Sequence, residues 1–313
     1  MTPRLPMVLT TTVIRSVHEG SSHGGAYLVD LETGATRQVL DWNDGSIDWS
    51  GRGGGRGLRG IAYHGEEIFI AASDEIFVFD RNFRRLRSIR NPYLKLCHEI
   101  VIDAGRLYLT ATEFDSILVY DLAADRFTAG YCLRLDASGQ IGFRSYDPEL
   151  PGGPTAQDST HINSVHVEGG RIYVGGVMLD RLIAIEHGTA RAVARLPRRT
   201  HNARPFRGGV LANFTGSDCI AWFTLDGEIR LSLPVPRYAP EQMTHTDLPA
   251  DFARQAFGRG LALIDRNHLV GGSSPATLAV HRLDPPTLVK TITLSFDVRN
   301  AVHGLEIWPF ANR

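Results

Sequence analysis

The sequence lacks most of the features that would place it in a specialised class of protein. Its three cysteines, Cys97, Cys132 and Cys219, form no C-x-x-C pair, so neither a disulfide framework nor a thiolate zinc site is favoured. The 33 basic and 34 acidic residues nearly cancel, which argues against nucleic acid or an anionic membrane as a partner. No hydrophobic run approaches the length of a membrane span. The apolar N-terminal stretch is too short and too rich in threonine for a signal peptide, so we expect a cytoplasmic protein.

Long segments with a helical period are also missing, and the chain instead repeats one β-pattern. Each copy predicts a strand, a tight turn, a second strand, a short loop and a third strand. The copies span 60–80, 99–121, 164–186, 205–226 and 260–284. A shorter and more polar run follows each copy, as expected of an exposed fourth strand.

The two ends of the chain together supply a sixth copy. The N-terminal part contains a second, third and fourth strand but no first, and the missing strand is H-G-L-E-I-W-P-F at 303–310. A ring closed by strands from both termini explains this division and leaves no open sheet edge. We predict an all-β fold, a six-bladed propeller of four-stranded antiparallel blades forming one domain over 1–313, with five or seven blades as alternatives.

This pattern resembles the six-bladed propellers that include gluconolactonase-like and strictosidine-synthase-like proteins. The resemblance covers most of the chain at the level of architecture, and a shared fold does not transfer chemistry. Gluconolactonase-like propellers hold a divalent ion mainly with Glu, Asn and Asp. This chain has histidines at the corresponding level, with Asn163 and Asn202 the nearby amides. Lactone hydrolysis is therefore not implied, and no catalytic residue of strictosidine synthase can be matched.

Polar residues stand at the start of the predicted innermost strands and would face one another across an axial channel. They are Arg59, His98, His161 or Asn163, His201 or Asn202, Arg259 and His303. The alternatives arise because a slip of one residue turns a side chain to the other face of its strand. Long connections at 42–58, 139–160 and 235–257 would surround the same end of the channel.

The histidines in this ring predict a metal site. The proposed ligands are His98, His161, His201 and His303. All-imidazole ligation suits iron, copper or zinc rather than magnesium or calcium, and it resembles the iron site of carotenoid-cleaving oxygenases in ligand type and axial position. Glu99 is a candidate to orient one imidazole or to act in catalysis. The alternative for each histidine is a structural role, bonded to a loop carbonyl.

The arginines in the ring predict a negatively charged ligand. Arg59 and Arg259 begin the two blades that flank the one led by His303, and guanidinium groups bind carboxylate, phosphate or sulfate. The segment G-R-G-G-G-R-G-L-R-G at 51–60 lacks the Lys and Ser/Thr of a P-loop and predicts a flexible rim. The candidate substrate-binding residues are Arg59, Arg259, Arg52, Arg56, Asn163, Asn202 and His23.

Three functions are compatible with these residues. The first is a metal-dependent enzyme acting on a small anionic organic molecule, with oxidative chemistry favoured because Glu99 is the only evident carboxylate. The second is a metal-independent lyase, transferase or isomerase in which His98 or His303 acts as acid or base and the arginines stabilise an anionic intermediate. The third is a non-catalytic propeller that presents its rim to a partner. The substrate and the oligomeric state stay open.

Overall fold

A computed structural model describes residues 4–15, 23–43, 57–249 and 253–311. In these ranges 25 strands form six antiparallel sheets. Each sheet is one blade of a propeller, so the predicted all-β class and the number of blades are confirmed. The described ranges contain two short 3-10 helices, Thr112–Phe114 and Pro240–Gln242. Neither of them, nor any other described segment, is a helix long and apolar enough to cross a membrane.

The strands follow one another from the inside of each blade to the outside. Blades 1 to 3 contain β1 (Met7–Ile14), β2 (His23–Asp30) and β3 (Thr36–Asp41); β4 (Ile61–His64), β5 (Glu67–Ala71), β6 (Glu75–Phe79) and β7 (Arg85–Arg90); and β8 (Ile100–Asp103), β9 (Arg106–Ala111), β10 (Ser116–Asp121), β11 (Arg126–Leu135) and β12 (Ile141–Tyr146). Blades 4 to 6 contain β13 (Ile162–Glu168), β14 (Arg171–Gly176), β15 (Arg181–Glu186) and β16 (Thr189–Arg195); β17 (Thr200–Phe206), β18 (Gly209–Phe214), β19 (Cys219–Phe223) and β20 (Ile229–Pro234); and β21 (Leu261–Leu263), β22 (His268–Ser273), β23 (Thr277–Leu283) and β24 (Pro286–Thr293).

The innermost strand of blade 1 is the last of the described strands, β25 (Asn300–Ile307). It pairs antiparallel with β1, so that Ile307 lies opposite Val8 and Asn300 lies opposite Ile14. Strands from both ends of the chain therefore close the ring, as the sequence predicts.

Blade 3 carries an additional fifth strand, β12, within the segment 139–160 that the sequence suggests is a connection. β11 is ten residues long, and its second half pairs with β12 from Gly130–Tyr146 to Leu135–Ile141. The turn between the two strands is built on Asp136, whose Oδ1 accepts hydrogen bonds from the backbone N–H groups of Ser138 and Gln140. A hairpin turn rich in small polar residues is hard to distinguish from a loop by composition.

The hydrophobic core is divided into clusters that lie between neighbouring blades. Leu9 of blade 1 and Ile68 of blade 2, for example, share one cluster and are fully buried. Burying such a side chain contributes about 1.5–3 kcal/mol. Because apolar packing fills the gaps between blades, the polar residues at the starts of the inner strands are left to face the channel.

Candidate functional site

Polar residues from five blades enclose a small space in the channel, which we call the inner void. It is lined by His98, Asn163, His201, Asn202, Arg259 and His303. Its volume is about 10 Å³, enough for about one water molecule. The sixth blade contributes Arg59, which lies close enough to His98 and His303 to act on their charge. Residues remote in sequence thus meet at one end of the channel.

A larger cavity shares His201 and Arg259 with the inner void, and we call it the channel-mouth cavity. Its volume is about 720 Å³, within the usual range of small-molecule sites. Its lining residues are Arg15, His161, Val177, Arg199, His201, Thr215, Gly216, Asp218, Arg254, Phe257 and Arg259. Four arginines and one carboxylate give this wall an excess of positive charge among the described residues.

Asp158 orients His161, the histidine of the ring with the most exposed side chain. Nδ1 of His161 lies 3.0 Å from both carboxylate oxygens of Asp158, which assigns the imidazole proton to Nδ1. The side chain of His161 is 29 % exposed, and it lines the channel-mouth cavity. Its Nε2 lone pair is therefore available to accept a proton, as in other carboxylate–histidine pairs.

Two further imidazoles are held through Nδ1. Nδ1 of His98 donates to the carbonyl of Leu96 at 2.6 Å. The hydroxyl of Thr215 donates to the carbonyl of Arg199 at 2.6 Å, so it accepts from Nδ1 of His201 at 3.2 Å. These partners assign both histidines the tautomer with a bare Nε2. Nε2 of His201 is buried and has no hydrogen-bond partner among the described residues.

The fourth imidazole, His303, is engaged by an arginine. Nη1 of Arg259 donates to Nε2 of His303, and both side chains are buried. The Arg259 guanidinium carbon also lies 4.9 Å from the centroid of the Phe257 ring. Stacking and hydrogen bonding together fix the plane of this guanidinium group.

Burial and positive neighbours keep the buried imidazoles neutral. Burial lowers the pKa of His98 well below its usual range, and Arg59 and Arg259 lower it further. Burial is also the main reason why the pKa of His303 is lowered, and Arg259 and Arg59 lower it further. Burial and then Arg259 likewise lower the pKa of His201. Neutral imidazoles can accept protons, whereas imidazolium groups cannot.

Irregular backbone at the starts of the inner strands aims these side chains. The pairing register shifts between Ile162 and Ser164 in β13, between His201 and Arg204 in β17, and in β25 opposite Thr10–Thr12. Such bulges change the direction of a side chain and are frequent beside active sites. They explain why both members of the ambiguous pairs reach the site: His161 and His201 line the channel-mouth cavity, whereas Asn163 and Asn202 line the inner void.

One of these bulges depends on a glycine. A Cβ added to Gly304 would lie 2.2 Å from the carbonyl oxygen of Arg59, so no larger residue fits without moving the backbone. The hydroxyl of Thr11 bridges the two segments, because it donates to that carbonyl at 2.5 Å and accepts from the Gly304 N–H at 2.8 Å. The backbones of Arg59 and Gly304, the residue after His303, are therefore in close contact.

The carboxylate of Glu99 lies beside the inner void, and its hydrogen-bond partners among the described residues do not include a histidine. Its carboxylate accepts hydrogen bonds from the backbone N–H of Val165 and from Nδ2 of Asn202, both at 3.1 Å. Nη2 of Arg204 lies 3.7 Å away. Burial raises the pKa of Glu99. The predicted role in orienting an imidazole has no support in these contacts.

The predicted four-histidine site for iron, copper or zinc is not supported. Among the described residues, no group of three or more His, Cys, Asp and Glu side chains is arranged to hold a metal ion. The rings of His98 and His161 are 5.3 Å apart, and those of His98 and His303 are 5.4 Å apart. However, Arg259 donates a hydrogen bond to Nε2 of His303, so this nitrogen is not available as a metal ligand. The guanidinium group also brings a positive charge to the place where a cation would bind.

The remaining predicted residues are distributed as follows. Nη1 of Arg59 donates to the carbonyl of Cys97 at 3.4 Å. His23 begins β2 and pairs with Ile14. Arg52 and Arg56, on the predicted flexible rim, lie outside the described residues.

Several residues of the site are not evident from the repeat pattern. Asp158 precedes His161 by three residues, a spacing that a search for carboxylate–histidine pairs could have found. Phe257 and Arg254 lie in the long segment before β21, where no repeat fixes the course of the chain. Positive φ angles occur at several non-glycine residues in and beside the two cavities. Among them are Leu96, Asp158, His161, Arg199, Asn202 and Asp218, and such residues tend to occur at functional sites.

Comparison with known proteins establishes the fold and goes no further. No family model and no curated protein matches the sequence. Among solved structures, a protein of unknown function from Bacteroides caccae is similar with a TM-score of 0.58 and 10% identity, over 97% of this chain and 100% of that one. A streptogramin B lyase is similar with a TM-score of 0.42 and 14% identity, over 72% of this chain and 68% of that one. The chain is therefore a six-bladed β-propeller, and its function has to be argued from the site.

Proposed function

We propose that the protein is a metal-independent enzyme, a lyase or an isomerase, that binds a small organic anion in the channel-mouth cavity and moves a proton on it. The observation that carries the proposal is that Arg259 and His161 line one cavity and that Asp158 is hydrogen-bonded to the His161 ring. This combines a group that neutralises an anion with a group that accepts a proton.

Arg259 supplies the anion-binding charge. Burial lowers the pKa of Arg259 well below its usual range, and the positive charges of Arg15 and Arg59 lower it further. Crowding of like charges in a buried site is unfavourable, and a bound anion relieves it. A carboxylate, phosphate or sulfate group is the chemistry that fits a guanidinium group held in a fixed plane.

His161 supplies the base. In the proposed step, its Nε2 takes a proton from the carbon next to the bound carboxylate, and the electron pair of the broken C–H bond moves into the carboxylate. Arg259 stabilises the resulting dianionic enediolate. Loss of a leaving group from the neighbouring carbon then gives a lyase product, with the imidazolium proton passing to the leaving group. Return of the imidazolium proton from His161 to a different carbon of an unsaturated substrate gives an isomerase product.

His161 fits this role better than His98 or His303, the bases that the sequence analysis considers. The latter two are each 8% exposed, and the Nε2 atom of His303 already accepts a hydrogen bond from Arg259. His161 is more exposed, and Asp158 is the hydrogen-bond partner of its ring among the described residues. Position and accessibility thus support the same assignment.

Solvent exchange tests the proposal even when the product is not identified. A panel of organic anions is first screened for binding by calorimetry, and the ligands that bind are then incubated with the protein in D₂O. Proton NMR should show loss of the signal from the carbon next to the carboxylate. His161→Gln should reduce this exchange by about 100-fold or more, and Asp158→Asn should also slow it, whereas binding persists in both variants.

Two matched variants complete the test. Arg259→Gln should abolish binding, whereas Arg84→Gln, which changes an exposed arginine of the turn before β7, should have no effect. Exchange that survives His161→Gln would overturn the assignment of the base. Binding without exchange in every ligand would overturn the enzymatic function and leave a binding protein.

A further inference from the structure

Three guanidinium groups surround one aromatic ring in the channel-mouth cavity. The guanidinium carbons of Arg259, Arg254 and Arg15 lie 4.9, 5.2 and 5.3 Å from the centroid of Phe257. Because all three distances are measured from the same point, no two of these groups are farther apart than about twice one of them. One small organic molecule with charged groups at both ends can therefore reach more than one of these guanidinium groups.

A fourth arginine lies on the exposed side of the cavity. The backbone of Arg199 is fixed, because its N–H donates to the carbonyl of Val177 at 2.8 Å and its carbonyl accepts from Thr215. Its φ angle of 66° is unusual for a non-glycine residue. The side chain is exposed and lines the cavity. Arg199 therefore projects from a defined position on the outer wall, and Arg259 lies at the inner end.

The carboxylate of the cavity is already engaged. Asp218 accepts hydrogen bonds from Arg254 at 2.5 Å and from Arg237. Its carboxylate therefore neutralises positive charge beside the outer wall. It is not bonded to Arg259. Among the described residues of the cavity, Arg259 at the inner end and Arg199 on the outer wall remain without a carboxylate partner.

We infer that the substrate carries two anionic groups, one held by Arg259 and the other by Arg199 beside Arg254. This inference rests on the proposed function, because it uses the same anion site and adds the class of ligand. A molecule with one anionic group would satisfy the inner guanidinium group only. A dicarboxylate, or a carboxylate with a phosphate at its other end, can bind Arg259 and Arg199 at the same time.

Pairs of acids that differ by one anionic group test the inference. Succinate is compared with butyrate, and glutarate with pentanoate, by calorimetry at one ionic strength. The diacid of each pair should bind at least about tenfold more tightly, since its second group binds intramolecularly. Arg199→Gln should reduce that ratio towards one, whereas Arg84→Gln, the surface control, should preserve it. Arg259→Lys retains the charge in case Arg259→Gln fails to fold, and thermal unfolding identifies that failure.

The outcomes separate this inference from the proposed function. Equal affinity for the two members of each pair, or a ratio unchanged by Arg199→Gln, would overturn the inference while leaving an anion site at Arg259. No binding by any of the four acids would overturn both. A diacid preference that Arg199→Gln reduces supports the inference even when no acid exchanges its proton in D₂O.

Discussion

Arg259 donates a hydrogen bond to Nε2 of His303. Arg259 lies two residues before β21, and His303 lies within β25, so the two residues belong to neighbouring blades of a closed ring. This contact changes the meaning of the four channel histidines. Converging imidazoles in a sequence indicate a metal, but a guanidinium group on one of the nitrogen atoms indicates an anion. The electrostatic character of the site is set by the arginines among the histidines.

The first prediction concerns metal content. Protein prepared without a polyhistidine tag and dialysed against chelator should contain far less than one equivalent of iron, copper or zinc, because Arg59 and Arg259 oppose a cation in the inner void. Its anion binding should be unchanged. Elemental analysis by mass spectrometry measures the metal, and calorimetry before and after chelation measures the binding. A full equivalent of one metal that is needed for binding would contradict this view of the site.

The second prediction concerns the accessibility of the histidines. His161 should react with diethyl pyrocarbonate before His98, His201 and His303, because its side chain is 29 % exposed and the other three residues are 8, 4 and 8% exposed. A bound dicarboxylate should slow the reaction of His161. Peptide mass spectrometry gives the rate at each site. The exposed His64 is the internal control, since an anion in the channel-mouth cavity should not protect it.

The third prediction concerns the close contact at the bulge of β25. Gly304→Ala should destabilise the protein and weaken anion binding, since the new Cβ meets the Arg59 carbonyl oxygen. The matched control is Gly105→Ala, where φ is 74° but nothing lies within 4 Å of the added Cβ. That variant should lose about 1 kcal/mol through backbone strain and keep its binding. Denaturant unfolding and calorimetry measure the two effects, and equal effects would argue against the contact.

The fourth prediction concerns His281, a buried residue of β23 in which neither ring nitrogen has a hydrogen-bond partner among the described residues. Burial lowers its pKa to about 4 from an ordinary 6.5. Between pH 6.5 and 4, His281 is therefore protonated in the unfolded chain and neutral in the folded chain. The free energy of unfolding should thus fall as the pH drops from 6.5 towards 4.

His281→Leu should remove this contribution. We expect a variant that is more stable at neutral pH by about 1–3 kcal/mol, because a buried unsatisfied polar group is lost, and that loses less stability between pH 6.5 and 4. Urea unfolding at several pH values measures both. Parallel stability curves for the two proteins would show that His281 does not titrate in this range.

The strands could be predicted from the sequence because their pattern is local and repeated. The polar run R-L-R-S-I-R coincides with β7, and the N-terminal run M-V-L-T-T-T-V-I coincides with β1. The place of β25 follows from counting strands, since one terminus lacks the strand that the other supplies. Alternating side chains and turn residues are sufficient for this level of structure.

The candidate site was predictable only in part. Arg59, His98 and Arg259 could be placed at one level because the repeat fixes the start of each inner strand, and each lies two residues before its strand. His303 instead lies within β25, which begins three residues earlier than the sequence predicts. Asp158 and Phe257 could not, since they lie in connections that no repeat constrains. The bulges in β13, β17 and β25 were also hidden, because an extra residue in a strand depends on the backbone contacts of its neighbours.

Closure of the ring by β25 determines when the site can form during synthesis. β25 brings His303 to the site, yet among the described strands it is the last to leave the ribosome, after the other five blades have been made. Until then blade 1 lacks its innermost member and Arg259 has no imidazole to hold its guanidinium group. A nascent chain should thus be unable to hold the ligand until β25 has emerged and paired with β1.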